Sequence, residues 1–227
     1  MPAAAGQGSR IAPIGEEMHV IKLWGRNNSS NVMKVIWLLE ELGLQYQRID
    51  AGGAFGKTGT PEYRAMNPLG LVPSIEDGDF HLFESNAILR YLCNAHAPTS
   101  SLYPQAPRQR GTVEAWMEFQ QTALNRPQGV VFLGLARTPP EKRDNAVIEA
   151  AAKEAAQMWG IVDARLARHA YVAGDALTLA DMTYGPHIHR WFALPVPGRP
   201  ELTHLRAWYD RLLARPAFKT HVAIAPT

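Results

Sequence analysis

Residues 19–50, HVIKLWGRNNSSNVMKVIWLLEELGLQYQRID, decide the fold. His19-Val20-Ile21-Lys22-Leu23-Trp24 is a short apolar run and predicts a strand. Gly25 to Asn31 is polar and turn-like. From Val32 the period changes. Val32, Val35, Ile36, Leu39 and Leu42 share one helical face, while Lys34, Glu40 and Glu41 fall off it. Gly43 closes this helix as a C-terminal cap, and Tyr46 to Asp50 predicts a second strand. Strand, helix and strand in that order predict a β-α-β unit, whose parallel strands require a crossover helix.

Beyond this unit, Ala51 to Gly59 is a loop with four glycines, at 52, 53, 56 and 59. Thr60-Pro61-Glu62 predicts a helix start, with Pro at the first helical position. Val72 to Glu76 and Phe80 to Phe83 predict two strands joined through Asp77-Gly78, a hairpin signal. Ser85 opens another helix, with Ile88, Leu89, Tyr91 and Leu92 as its apolar positions. The order β-α-β-α-β-β-α, ending near His96, predicts a thioredoxin-like α/β domain over residues 18–97. Pro98, Pro104 and Pro107 mark residues 98–107 as a linker. Residues 108–227 predict an all-α domain, with helices over 108–124, 141–169, 178–191 and 202–214 and a short one near Phe218. Met1 to Glu17 is rich in Ala, Gly and Pro, contains no signal-peptide core, and reads as a flexible tail.

Composition narrows the function classes. The 227 residues are 46% hydrophobic and 19% charged, which is ordinary for a globular protein and can bury a substantial core. A net charge of +2, with scattered Lys and Arg, does not suggest nucleic acid or membrane binding. No apolar run approaches the roughly 18 residues of a membrane span. A single cysteine, Cys93, can form neither an internal disulfide nor a cysteine-based zinc site, which suits a reducing, cytoplasmic location. Cys93 falls on the apolar face of its helix and reads as an inert core thiol. His187 and His189, two apart on a helix, face different sides, so no metal site is expected.

Three polar, Pro- and Gly-bearing places can converge at the strand ends of one sheet: Asn27 to Asn31, Leu71 to Ser74 and Glu84 to Asn86. Open α/β sheets bind ligands there. Ser85 reads as a helix N-cap, so the free N–H groups behind it attract an anion, while Glu84 beside it suits an ammonium group. Pro73 cannot donate to a strand ladder and marks an edge or bend. Ser29-Ser30-Asn31 stands at the start of the first helix, where a hydroxyl, an amide and the positive end of the dipole meet. Thr178 and Asp181 fit the Ser/Thr-x-x-acid capping pattern.

Asn67-Pro68-Leu69-Gly70-Leu71-Val72-Pro73-Ser74-Ile75, then Asp77-Gly78, then Leu82-Phe83-Glu84-Ser85-Asn86-Ala87-Ile88-Leu89-Arg90-Tyr91-Leu92, resembles the glutathione-binding half of the cytosolic glutathione transferases. Tyr171-Val172-Ala173-Gly174-Asp175 followed by Leu177-Thr178-Leu179-Ala180-Asp181 resembles the capping motif of their core helix. The resemblance runs from about Met18 to Val222. It implies glutathione as a substrate, with Glu84 and Ser85 on its γ-glutamyl end and a cis Val72-Pro73 bond whose Val72 backbone pairs with its cysteinyl part. It implies Ser29, or alternatively Asn31, as the donor to the thiol, as in theta-like and some bacterial classes. No tyrosine or cysteine stands in that loop, unlike the classes that use those residues. Asn67, Arg64 and Lys57 are candidates for the glycyl carboxylate, and Trp116, Phe119 and Gln120 for the wall of an acceptor pocket. A homodimer acting on small hydrophobic electrophiles is the expectation. Glutathione-dependent peroxide or disulfide reduction, and a non-catalytic binding protein, are the alternatives.

Overall fold

The computed structural model describes residues 20–227; the expected tail over 1–17 and the His19 start of the first strand lie outside them. Strands β1 (Ile21–Trp24), β2 (Tyr46–Ile49), β3 (Ser74–Asp77) and β4 (Phe80–Phe83) form one sheet in the order β2-β1-β3-β4. β1 pairs with β2 in parallel, Ile21 opposite Tyr46, across helix α1 (Ser30–Leu42). β3 is antiparallel to both neighbours, with Leu23 opposite Ile75 and Ile75 opposite Leu82. Helices α2 (Pro61–Met66) and α3 (Ser85–His96) complete the expected β-α-β-α-β-β-α order.

The local signals act where they were read. Gly43 adopts φ 65°, and the N–H groups of Gly43 and Leu44 reach back to Glu40 and Leu39, closing α1. Thr60 accepts the Tyr63 N–H at the start of α2. The hairpin turn is shifted by one residue from Asp77-Gly78. Asp77 still pairs with Phe80, so Gly78 and Asp79 form the turn, with Gly78 at φ 66°. β3 starts two residues later than expected because Pro73 has no N–H for the ladder.

Lys34 departs from the expected helical face. It is fully buried, as are Val32 to Leu39 throughout. α3, α7 (Leu179–Ala193) and α9 (Pro216–His221) all pack on α1, so it has no solvent stripe along this stretch.

The second domain is helical. α4 (Pro107–Phe119) does not stop at Leu124 as expected. It widens into a π-helical turn, Gln120–Leu124, continues as α5 (Asn125–Phe132), and ends in a second π turn, Leu133–Arg137. Pro127 falls in the first turn after the wide turn, where the missing donor is tolerated. α6 (Asn145–Leu166) and α8 (Thr203–Leu213) pack together and around α7. Trp37, Trp159, Trp191 and Trp208 are buried in a core that runs through both domains. Asp181 anchors the start of α7: its carboxylate accepts the N–H of Val172 at 2.9 Å, of Thr178 at 2.9 Å and of the Trp208 indole at 3.0 Å. The capping pattern therefore also ties α8 and the Tyr171–Gly174 bridge to α7.

Candidate active site

The loop between β1 and α1 is held from three sides. Gly25 donates its backbone N–H to Ile49 at the end of β2, and Arg26 to Ala51 just beyond it. Arg190 on α7 donates to the Asn28 carbonyl at 2.9 Å. The Asn28 amide reaches the Thr227 hydroxyl at 3.0 Å. A Cβ at Gly25 would lie 2.4 Å from Val32, so the loop packs onto α1 too closely for any side chain there.

Ser29 is the N-cap residue of α1 by its backbone, and its carbonyl accepts the Met33 N–H at 2.9 Å. Its hydroxyl makes no capping bond. Among the described residues, neither that hydroxyl nor the Asn31 amide has an internal partner, and both residues are half-buried. A polar group left free at a helix start, facing the dipole and the open N–H groups of the first turn, is built to receive an anion.

The loop ahead of β3 is organised from beneath. The Val72-Pro73 bond is cis, and Pro73 is buried. Tyr63 donates its hydroxyl proton to the Leu71 carbonyl at 2.6 Å and lies 3.1 Å from the Ser74 hydroxyl. Asn67 is 2% exposed: its amide donates to the Leu71 carbonyl at 2.8 Å, and its oxygen accepts the Leu69 N–H at 3.1 Å. Asn67, expected as a ligand candidate, spends both polar ends on the loop and is placed to hold Val72-Pro73 in position. Arg64, another candidate, donates to the Pro68 carbonyl at 3.0 Å.

At the third place the cap is one residue earlier than expected. Glu84 is the N-cap position of α3, with φ 68° and an exposed side chain, and Ser85 is the buried first helical residue. The Glu84 side chain makes no cap bond, so its carboxylate stays available beside the helix start. It also acts on Lys34: burial lowers the Lys34 ammonium to about 7, with Glu84 opposing that shift and Arg190 adding to it.

Behind the site, Lys34 donates to the Gln120 side-chain oxygen at 3.2 Å, and the Gln120 amide lies 3.1 Å from His187 Nε2. Burial, then Lys34 and Arg190, hold His187 well below its usual range, so it stays neutral. Gln120 is fully buried and joins α1 to α7 instead of lining a pocket. Trp116 and Phe119 pack edge to face at 5.6 Å, with the Arg165 guanidinium 5.9 Å from the Trp116 ring. None of the three lines the cavity at Ser29. That cavity, of about 220 Å³, is walled by Phe132 and Leu133 from the end of α5 and by Arg26, Arg137 and Arg190. Phe132, Leu133 and Arg137 lie beyond the expected helix end at Leu124, while Arg26 and Arg190 come from other elements and carry no motif.

Other side chains are quiet. Burial pushes the Cys93 thiol up to about 12. His189 is engaged by the Tyr209 hydroxyl at 2.8 Å and the Ile224 carbonyl at 2.7 Å, away from His187. Among the described residues there is no group of three or more His, Cys, Asp or Glu side chains that could hold a metal ion, and no helix is long and apolar enough to cross a membrane.

A helix start with a free hydroxyl, a cis proline loop and a second helix start flanked by a carboxylate thus border one sheet. Comparison with known proteins gives this arrangement a family. The glutathione S-transferase N-terminal domain matches residues 19–94 and the glutathione S-transferase C-terminal domain matches residues 145–211. Glutathione S-transferase GstB of Escherichia coli (strain K12) is 41% identical over 207 residues, 90% of this chain and 99% of that protein. Glutathione S-transferase 3 of Zea mays is 33% identical over 216 residues, 92% of this chain and 96% of that protein. The theta class glutathione S-transferase from Xanthomonas axonopodis pv. citri, solved with glutathione bound, superposes with a TM-score of 0.88 at 45% identity, over 92% of this chain and 100% of that one. With both halves matched in order and nearly the whole length aligned, the chain belongs to the glutathione S-transferase family.

Proposed function

We propose that this enzyme joins the thiolate of glutathione to small electrophiles, with Ser29 as the principal donor to the sulfur and Asn31 as the second. The observation that carries this is the Ser29 hydroxyl, free of any capping duty at the start of α1 and bordering a cavity. A free thiol ionises near pH 8.5, and helix starts lower such values. One hydrogen bond to a charged group supplies about 1.5–3 kcal/mol, and one pKa unit is about 1.4 kcal/mol. A single hydroxyl with help from the dipole is therefore sufficient to hold thiolate near neutral pH, and no general base is needed. The thiolate then attacks an electrophile oriented beside it.

In this reading the Val72 backbone pairs with the cysteinyl part of glutathione, Pro73 shapes that edge, and Asn67 supports it from below. Glu84 receives the γ-glutamyl ammonium and the start of α3 at Ser85 receives its carboxylate. The acceptor lies against Phe132 and Leu133. The family resemblance adds a cytoplasmic homodimer. Asn31, unpartnered beside Ser29, favours glutathione-dependent disulfide or peroxide reduction as a second reading of the same site. Ser29, Val72-Pro73 and Glu84-Ser85 are all present, which argues against a binding protein that has lost its chemistry.

The test is a spectroscopic titration of the bound thiol with steady-state kinetics. Ser29→Ala is expected to raise the thiol pKa by about one unit or more and to lower kcat about tenfold to a hundredfold, with glutathione affinity within about twofold. An unchanged thiol pKa in Ser29→Ala, with the loss appearing in Asn31→Ala instead, would transfer the role to Asn31.

A further inference from the structure

The cavity beside Ser29 carries more positive charge than a neutral electrophile calls for. Arg26 reaches it from the β1–α1 loop, Arg137 from the π turn after α5, and Arg190 from α7. Among the described residues no Asp or Glu lines the cavity, and none of the three guanidiniums is paired with an acidic side chain.

Two of them are built in, not draped over the surface. Arg190 is 7% exposed. It donates once, to the Asn28 carbonyl, and its Nε is buried without a partner. Its guanidinium lies 3.7 Å from the centre of the Phe132 ring. Arg26 Nε is likewise buried and unpartnered, and its side chain runs along Gly52 and Gly53 toward Val72. Arg137 is exposed and gives one amino group to the Thr227 main-chain oxygen. Burial, then Arg137 and Arg26, pull the Arg190 guanidinium down to about 10. Like charges gathered in a partly dry cavity oppose one another unless an anion joins them.

We propose that the acceptor of this site is an anionic electrophile, one whose reacting ring or chain also carries a carboxylate or sulfonate. This rests on the transferase reading above and names its second substrate class. The anionic group meets the arginines, and the apolar part lies on Phe132 and Leu133. For an aryl halide the thiolate sulfur bonds to the ring carbon, the carbon–halogen bond breaks, and halide leaves with the electron pair. The carboxylate is unchanged. Arginines serving only the sulfur anion would assist every acceptor equally, so acceptor charge separates the two roles.

The experiment measures kcat/KM for 4-chloro-3,5-dinitrobenzoate and for the matching benzamide, each divided by its uncatalysed rate with glutathione. Wild type and Arg137→Gln are compared, and Arg137 is chosen because its exposure makes the change tolerable. Wild type is expected to favour the benzoate at least about tenfold, the effect of one charge-assisted contact. Arg137→Gln should lose most of that preference, lowering benzoate kcat/KM at least about fivefold more than benzamide kcat/KM, and added salt should erode it in wild type. Equal normalised rates, or an Arg137→Gln loss common to both acceptors, would overturn the inference and leave the transferase reading standing. No turnover of either acceptor would overturn both.

Discussion

The two walls of the proposed active site, one for glutathione and one for the acceptor, are made in different ways. On the glutathione side, Val72-Pro73 and Glu84-Ser85 sit in short loops braced by neighbours close in the chain: Tyr63, Asn67 and Leu71 lie within eight residues of one another. On the acceptor side, Phe132 and Leu133 sit at the end of a helix whose placement depends on α6 and α7, and Arg190 reaches Asn28 across 162 positions of sequence. One wall is set by local chemistry and the other by the packing of the whole second domain. Changes far from the site should therefore damage the acceptor wall more readily than the glutathione wall.

The sharpest way to break that contrast is at Asp181, which is buried and holds Val172, Thr178 and Trp208. Asp181→Ala leaves these donors unpaired, and a loss of about 3–5 kcal/mol is expected. Thermal unfolding should show it, and at permissive temperature acceptor KM should rise more than glutathione KM. Equal changes in both would mean the two walls are not separately built.

Lys34 gives a middle-sized effect. Its ammonium is lowered to about 7 by burial, whereas an unfolded chain keeps the proton to about 10.5. A depressed lysine opposes folding while it is charged, so stability rises with pH through this window, by about 2 kcal/mol between pH 7 and pH 9. Thermal midpoints across that range should climb in wild type and stay flat in Lys34→Met. A flat wild-type profile would contradict the burial of the charge.

The smallest effect should come from Trp116. Trp116→Leu is expected to alter acceptor kcat/KM by less than about twofold, because the ring packs on Phe119 and beside Arg165, outside the cavity. A change in acceptor selectivity would return Trp116 to the pocket.

The same division explains what could be read from the chain in advance. Gly43, Thr60, the Asp77-Gly78 turn and the Thr178–Asp181 cap are local signals, each acting within a few residues, and each is found within a residue of its predicted place. Ser29 and the cis Val72-Pro73 bond come from the family resemblance; the structure has Ser29 at the start of α1 and the bond cis. Lys34 falls off the face that periodicity marks, yet it is buried, because periodicity on one helix cannot see that α7 and α9 also cover it. The resemblance puts Gln120 in a pocket wall, yet its partners, Lys34 and His187, are 86 and 67 positions away and hold it in the core. α5 lies outside the expected helices because a π turn that carries a helix on past Leu124 leaves no mark in composition. The arginine cluster converges from three elements and has no motif.

The Lys34–Gln120–His187 chain has a consequence for anyone recombining these enzymes. A hybrid that grafts this first domain onto helices from a relative without an amide at the place of Gln120 would strand an ammonium in the seam. The converse graft would leave Gln120 and His187 facing a gap. Such crossovers should succeed only when the lysine and the glutamine travel together, even though the cut itself falls in a proline-rich connector far from either.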